Sequence, residues 1–134
     1  MDSRRAKLLY LADGKSSRVD KISMNKVSLI VYPAKELAST KQIFSKFLGA
    51  EPYVDGPYYV GYKVGDMEIG LDPNAQNAGP VTFIDVADIK SSLQEIMALG
   101  ATLQQDIKDV AKGLLVASVR DKDGNILGFR QNPQ

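Results

Sequence analysis

Cysteine and histidine are both absent from the 134 residues. Without cysteine the chain has no disulfide, no thiolate nucleophile and no Cys-bearing zinc site. That composition fits a reducing compartment, and a cytoplasmic location is expected. Without histidine it lacks the commonest general base near neutral pH and the commonest transition-metal ligand. No apolar run approaches the roughly 20 residues of a membrane span. Ser3-Arg4-Arg5 with Leu8 to Ala12 is a faint twin-arginine pattern. Its apolar run is shorter than the about 7–15 residues of a signal core, so export is rejected.

What is present describes one ordinary domain, with 44% hydrophobic and 25% charged residues and a net charge of +1. That balance gives no electrostatic footprint for nucleic acid. The charge is uneven: residues 1–23 carry six basic and three acidic side chains, whereas the remainder carries eleven and thirteen. A basic tail can touch an anionic partner, and it is also what a solvated extension looks like.

Patterned sequence begins after Met24. Residues 1–23 read as an N-terminal extension, a short helix over Arg4–Ala12 plus a polar linker. They are equally a leader from an upstream start or vector-derived residues. Residues 24–134 form the domain. Lys26 to Tyr32 alternates as a strand closed by Pro33, and a helix is predicted from Lys35 to Leu48. Its apolar face would carry Leu37, Thr40, Phe44, Phe47 and Leu48, with Gly49 as its cap. Strands are predicted over Tyr58–Val64 and Met67–Leu71, separated by Gly65-Asp66.

The order then recurs. Val81–Val86 is a strand, and Asp88 is the N-cap of a helix ending near Leu99. That helix would bury Ile89, Leu93, Ile96 and Met97. Thr102–Val110 is extended, and Leu114–Val119 and Ile126–Arg130 are strands flanking the turn Asp123-Gly124-Asn125. Leu48-Gly49-Ala50 matches Leu99-Gly100-Ala101 at the helix ends. Gly65-Asp66-Met67-Glu68-Ile69-Gly70 matches Gly124-Asn125-Ile126-Leu127-Gly128-Phe129 near the module ends. The expected fold is α+β: two tandem βαβββ modules, about 26–75 and 79–131, forming a concave mixed sheet with helices outside.

Residues 26–131 resemble the vicinal oxygen chelate superfamily of glyoxalases, bleomycin-resistance proteins and extradiol dioxygenases. The resemblance rests on Val27-Ser28-Leu29-Ile30-Val31, Phe47-Leu48-Gly49-Ala50, Val86-Ala87-Asp88-Ile89 and, most specifically, Asp121-Lys122-Asp123-Gly124-Asn125. It implies metal ligands on four strands, which here fall on Lys26, Gly70, Val81 and Gly128. None of these offers a side-chain lone pair suited to a divalent ion. The implied member is one that has vacated its metal site, with no cofactor and without metal-assisted glyoxalase or dioxygenase chemistry.

Strand alternation assigns the two sheet faces. Val27, Leu29 and Val31 are expected to pack on helices, with Lys26, Ser28 and Ile30 facing the cavity. Val81, Phe83 and Asp85, then Glu68 and Gly70, then Ile126, Gly128 and Arg130, also face inward, joined by Tyr59, Gly61 and Lys63. The candidate ligand-binding residues are therefore Lys26, Ser28, Tyr59, Glu68, Phe83, Asp85 and Arg130. Phe83 and Tyr59 are apolar walls for a ligand or ordinary strand aromatics. The four charges orient a ligand or merely pair with one another. Gly70 and Gly128 mark either close approach of a ligand or another backbone, or symmetric drift after metal loss.

The function expected is metal-independent binding of a small organic molecule, aromatic or amphiphilic, in a cavity completed by a homodimer partner. Neither nucleic acid nor membrane is an expected partner. Two alternatives remain: a metal-independent lyase or isomerase using Glu68 or Asp85 as base, and an interaction or regulatory module with residues 1–23 as a docking arm.

Overall fold

The computed structural model describes residues 25–76 and 79–134. The short helix expected over Arg4–Ala12 lies outside them. The elements run β1 (Lys26–Pro33), α1 (Leu37–Leu48), β2 (Val54–Asp55), β3 (Val60–Val64), β4 (Met67–Asp72), β5 (Val81–Asp85), α2 (Ile89–Ala98), β6 (Thr102–Ala111), β7 (Leu114–Arg120) and β8 (Ile126–Gln131). They form one eight-stranded sheet in the order β2-β3-β4-β1-β5-β8-β7-β6. The two halves join where β1 and β5 pair antiparallel, and each of these strands pairs parallel with the last strand of its own half, β4 or β8. The α+β fold of two βαβββ modules is therefore as expected, with the halves related across the central β1–β5 seam.

Each helix covers its own half. In the first, Leu37, Phe44 and Leu48 of α1 pack against Val60, Tyr62, Ile69 and Leu71. Tyr62 is wholly buried, so its hydroxyl needs partners. It donates to the Lys41 carbonyl at 3.1 Å and meets Ser45 Oγ at 2.9 Å, which pins α1 to β3. In the second half, Ile89 and Leu93 of α2 pack against Ala117, Val119 and Phe129. Asp88 caps α2 as expected, accepting from the Lys90 and Ser91 amides. Gly49 ends α1 with φ 63°, the left-handed cap read from the sequence.

Some expectations are corrected. α1 starts at Leu37 rather than Lys35, and Glu36 provides no side-chain cap. Phe47 and Met97 were placed on buried helix faces, yet Phe47 is 79% exposed and Met97 is also exposed. Phe47 lies three positions after Phe44, which turns it to the edge of the apolar stripe, where it meets only the rim of the Phe44 ring. The edge strand β2 had no signal in so short and irregular a stretch. Among the described residues, no helix is long and apolar enough to cross a membrane.

Candidate functional site

The concave face begins with a break in β1. Val27 lies opposite Ile84 and Leu29 opposite Phe83, so the register slips between them and Ser28 is the extra residue of a β-bulge. A bulge places two successive side chains on one face. Ser28 Oγ donates to Asp85 at 2.8 Å, while Leu29 and Val31 line the concave cleft. Ile30 and Tyr32 go to the helix side, against the first core. Strict alternation had assigned Leu29 and Val31 to the helices and Ile30 to the cavity. The bulge reverses all three and leaves Lys26 and Ser28 on the concave side; Val27, expected to pack on a helix, is 40% exposed. No bulge interrupts β5, and there the expected phase holds: Ile84 and Val86 pack under α2, and Val81 and Phe83 line the cleft.

Four of the seven candidate binding residues meet in one polar cluster. Arg130 Nε donates to Asp85 at 3.2 Å, and Arg130 Nη1 donates to Glu68 at 3.4 Å. The guanidinium thus reaches from β8 across β5 and β1 to β4. Its side chain is 13% exposed, against 27% for Glu68 and 30% for Asp85. Ser28 joins through Asp85. Lys26 does not join: it is exposed, and its backbone lies opposite Asp85, but among the described residues it makes no ion pair. Tyr53, which the sequence reading missed, donates its hydroxyl to Glu68. Its ring also lies 4.7 Å from the Lys63 ammonium. The Tyr53 phenol is pushed up to about 12, first by loss of solvent around its inward-turned oxygen and then by the adjacent Glu68 carboxylate.

The remaining two candidates, Tyr59 and Phe83, occupy the space over the two mid-strand glycines. A Cβ built on Gly70 would overlap the Tyr59 phenol, and one built on Gly128 would overlap the Phe83 ring. The glycines are therefore where rings of the same chain approach the strand closely, rather than a ligand or another backbone. Gly70 on β4 and Gly128 on β8 occupy matching strands of the two halves, but the rings come from different places: Phe83 is the register partner of Gly128, whereas Tyr59 precedes β3 and Gly70 pairs with Val31 and Gly61.

The four positions at which the resemblance implies metal ligands now have surroundings. Lys26 is an exposed cation, Gly70 and Gly128 lie under rings, and Val81 is buried in the cleft wall. This donor set does not fit a divalent ion. Glu68 and Asp85 are the nearest carboxylates, and both are engaged by Arg130. Among the described residues, no three acidic side chains cluster as a metal site would require.

Beside the polar cluster lies a cleft of about 490 Å³, within the usual size range for a small-molecule site. Its floor is apolar: Leu29, Val31, Val81, Phe83 and Ile126, with Tyr59 at one side. Amides form much of its rim, from Asn74 and Gln76 after β4 and from Gln104 and Gln105 on β6, and Asp72 stands among them. These rim residues were not foreseen, because only the return of β6 beside β7 brings them over the floor. Burial raises the Tyr59 phenol, and Glu68 adds to the rise. A larger hollow of about 610 Å³ adjoins the cleft beside the turn Asp121–Asn125, sharing Gln76 and Ile126. Neither Tyr59 nor Phe83 lines this hollow; both line the smaller cleft. In that turn, Asp121 accepts from the Asp123 and Asn125 amides and from Asn125 Nδ2, which accounts for the Asp-x-Asp-Gly-Asn pattern.

Neither protein-family models nor curated proteins give a significant sequence match. Solved structures do match in fold. A hypothetical protein from Bacillus halodurans C-125 superposes with a TM-score of 0.66 at 16% identity, over 84% of this chain and 97% of that one. A glyoxalase/bleomycin resistance protein/dioxygenase superfamily member from Vibrio splendidus 12B01 gives 0.64 at 17% identity, over 81% and 98%. Methylmalonyl-CoA epimerase from Mycobacterium tuberculosis gives 0.62 at 12% identity, over 81% and 87%. The chain has the vicinal oxygen chelate fold that the sequence resemblance implied.

Proposed function

We propose that the protein is a metal-independent binder of a small organic molecule, held in the concave cleft and further enclosed by a second copy of the chain. The observation that carries this reading is the filling of the space over Gly70 and Gly128 by Tyr59 and Phe83. Positions from which ligating side chains would project instead accommodate rings, and those rings form walls of an apolar cleft with a polar rim. Such a surface suits a flat or amphiphilic organic ligand.

The alternative of a metal-independent enzyme has in its favour that Glu68 and Asp85 are both partly buried on the concave face. Against it, each carboxylate already accepts from Arg130. A general base must come within hydrogen-bond reach of the proton it takes, and neither carboxylate lines the cleft, so binding is the better reading. The docking-arm alternative concerns residues 1–23, which lie outside the described residues. A cytoplasmic location belongs to the same proposal, supported by the absence of cysteine.

Three experiments test the proposal. Calorimetric titration with zinc, nickel, manganese and ferrous ions is expected to show no tight stoichiometric binding; such binding would overturn metal independence. A fragment screen followed by amide chemical shifts is expected to move Leu29, Val31, Phe83 and Gln105 together. A screen of aromatic fragments that leaves all four unmoved would overturn the binding role. Sedimentation at high concentration is expected to show a dimer, and a monomer there would remove the second copy from the reading.

A further inference from the structure

The cleft has a definite charge character. Among the described residues that line it, only Asp72 is charged. Asp72 ends β4, and the pairing of Val60 with Leu71 places Tyr59 beside it. The Asp72 carboxylate accepts the Asn74 amide at 2.8 Å through one oxygen. Among the described residues, no lysine or arginine pairs with it. The lining amides of Asn74, Gln76, Gln104 and Gln105 are neutral and offer both donors and acceptors.

Among the described residues, no cation lines the cleft to receive an anion. Arg130, the largely buried cation of the concave face, is engaged by Glu68 and Asp85, Lys63 lies over the Tyr53 ring, and Arg120 lines the adjoining hollow, where it donates to Gln104. Burial is the main cause that raises the Tyr59 phenol; the Glu68 and Asp72 carboxylates add to it and Arg130 opposes them. An anionic group entering the cleft would lose its hydration and meet a carboxylate without a compensating partner. An ammonium would meet Asp72 at one end, with Tyr59 beside it and an apolar floor for the rest of the molecule.

We propose that the cleft selects an arylalkyl amine, its ring on the Leu29–Phe83 floor and its ammonium against Asp72, and rejects compounds bearing carboxylate or phosphate. This rests on the binding reading above and names the ligand class for the same cleft. It also separates the chain from acyl-CoA ligands, whose phosphates need cations that this cleft does not offer.

Three probes of nearly equal shape test it on the full chain near pH 7: 2-phenylethylamine, 2-phenylethanol and phenylacetate, each titrated against the cleft amide resonances. The amine is expected to bind about fivefold tighter than the alcohol, as one partly exposed ion pair allows, and phenylacetate weakest of the three. Added salt is expected to narrow the gap between amine and alcohol. Asp72→Asn keeps an acceptor for the Asn74 amide. It is expected to lower amine affinity to that of the alcohol while leaving the alcohol unchanged.

Equal affinity for amine and alcohol, or phenylacetate binding as well as the amine, overturns the charge selection while leaving the cleft as a binding site. So does an amine preference that survives in Asp72→Asn. If none of the three probes moves the cleft resonances, the charge selection and the binding reading fall together. The comparison of probes on the unaltered protein decides the matter even if the variant does not fold.

Discussion

Phe83 on β5 lies across Gly128 on β8: the two residues are register partners, and the ring occupies the volume that a side chain at position 128 would need. Tyr59 likewise occupies the volume a side chain at position 70 would need, although Gly70 pairs with Val31 and Gly61. Gly128→Ala is therefore expected to force Phe83 out of its position and to destabilise the fold by about 1–3 kcal/mol, the usual range for overpacking. Gly128→Ala combined with Phe83→Ala should cost less than the sum of the two single changes, because the overlap no longer exists. Urea denaturation of the four proteins checks this. Additive costs would show that the ring and the glycine are independent.

Both helices, the strands other than β2 and the caps at Gly49 and Asp88 were legible because each rests on local spacing or on a single residue with one conformational use. The concave residues of β5 and β8 were legible for the same reason, since unbroken alternation carries the phase along a strand. The phase of β1 was not. Nothing in Val27-Ser28-Leu29 marks a bulge, and its cause lies in the pairing with β5, some 55 residues away, where Ser28 reaches Asp85. Tyr53 and the glutamine rim were missed for a related reason. They reach the site through irregular or edge segments whose position only the assembled sheet defines.

The bulge makes its own prediction. Ile30 packs against the helix-side core and Val31 lines the cleft. Ile30→Ala is expected to cost about 2–3 kcal/mol of stability, toward the low end for a large-to-small core change because Ile30 is only partly buried. The chemical shifts of the Phe83 and Gln105 amides should stay close to wild type. Val31→Ala should cost less and move those resonances. The opposite pattern would restore strict alternation through β1.

Arg130 is placed to neutralise two carboxylates at once. Arg130→Met keeps much of the aliphatic stem but leaves Glu68 and Asp85 partly buried without their cation. The expected loss is about 1–3 kcal/mol, below the cost of orphaning a fully buried charge because both carboxylates retain some solvent. Adding Glu68→Gln and Asp85→Asn should recover part of it. A triple variant no more stable than Arg130→Met would show that the arginine acts through packing alone.

Tyr53 links this cluster to pH. Its phenol is raised from 10.0 to about 12, by burial first and by Glu68 next. A phenol whose folded value lies above its unfolded one favours folding in its protonated form. The stabilisation is complete below about pH 10, the ordinary phenol range, and is lost as pH rises toward 12. Wild-type stability is therefore expected to fall across pH 10–12 more steeply than that of Tyr53→Phe, which has no proton to lose at this position. The difference between the two unfolding curves removes the contribution of the lysines that titrate in the same window. Because the Tyr53 ring is half exposed, solvent screening moderates the effect, and only its direction decides the question. Parallel curves from pH 9 to 12 would mean that the Tyr53 hydroxyl and Glu68 do not hold one another in the folded protein.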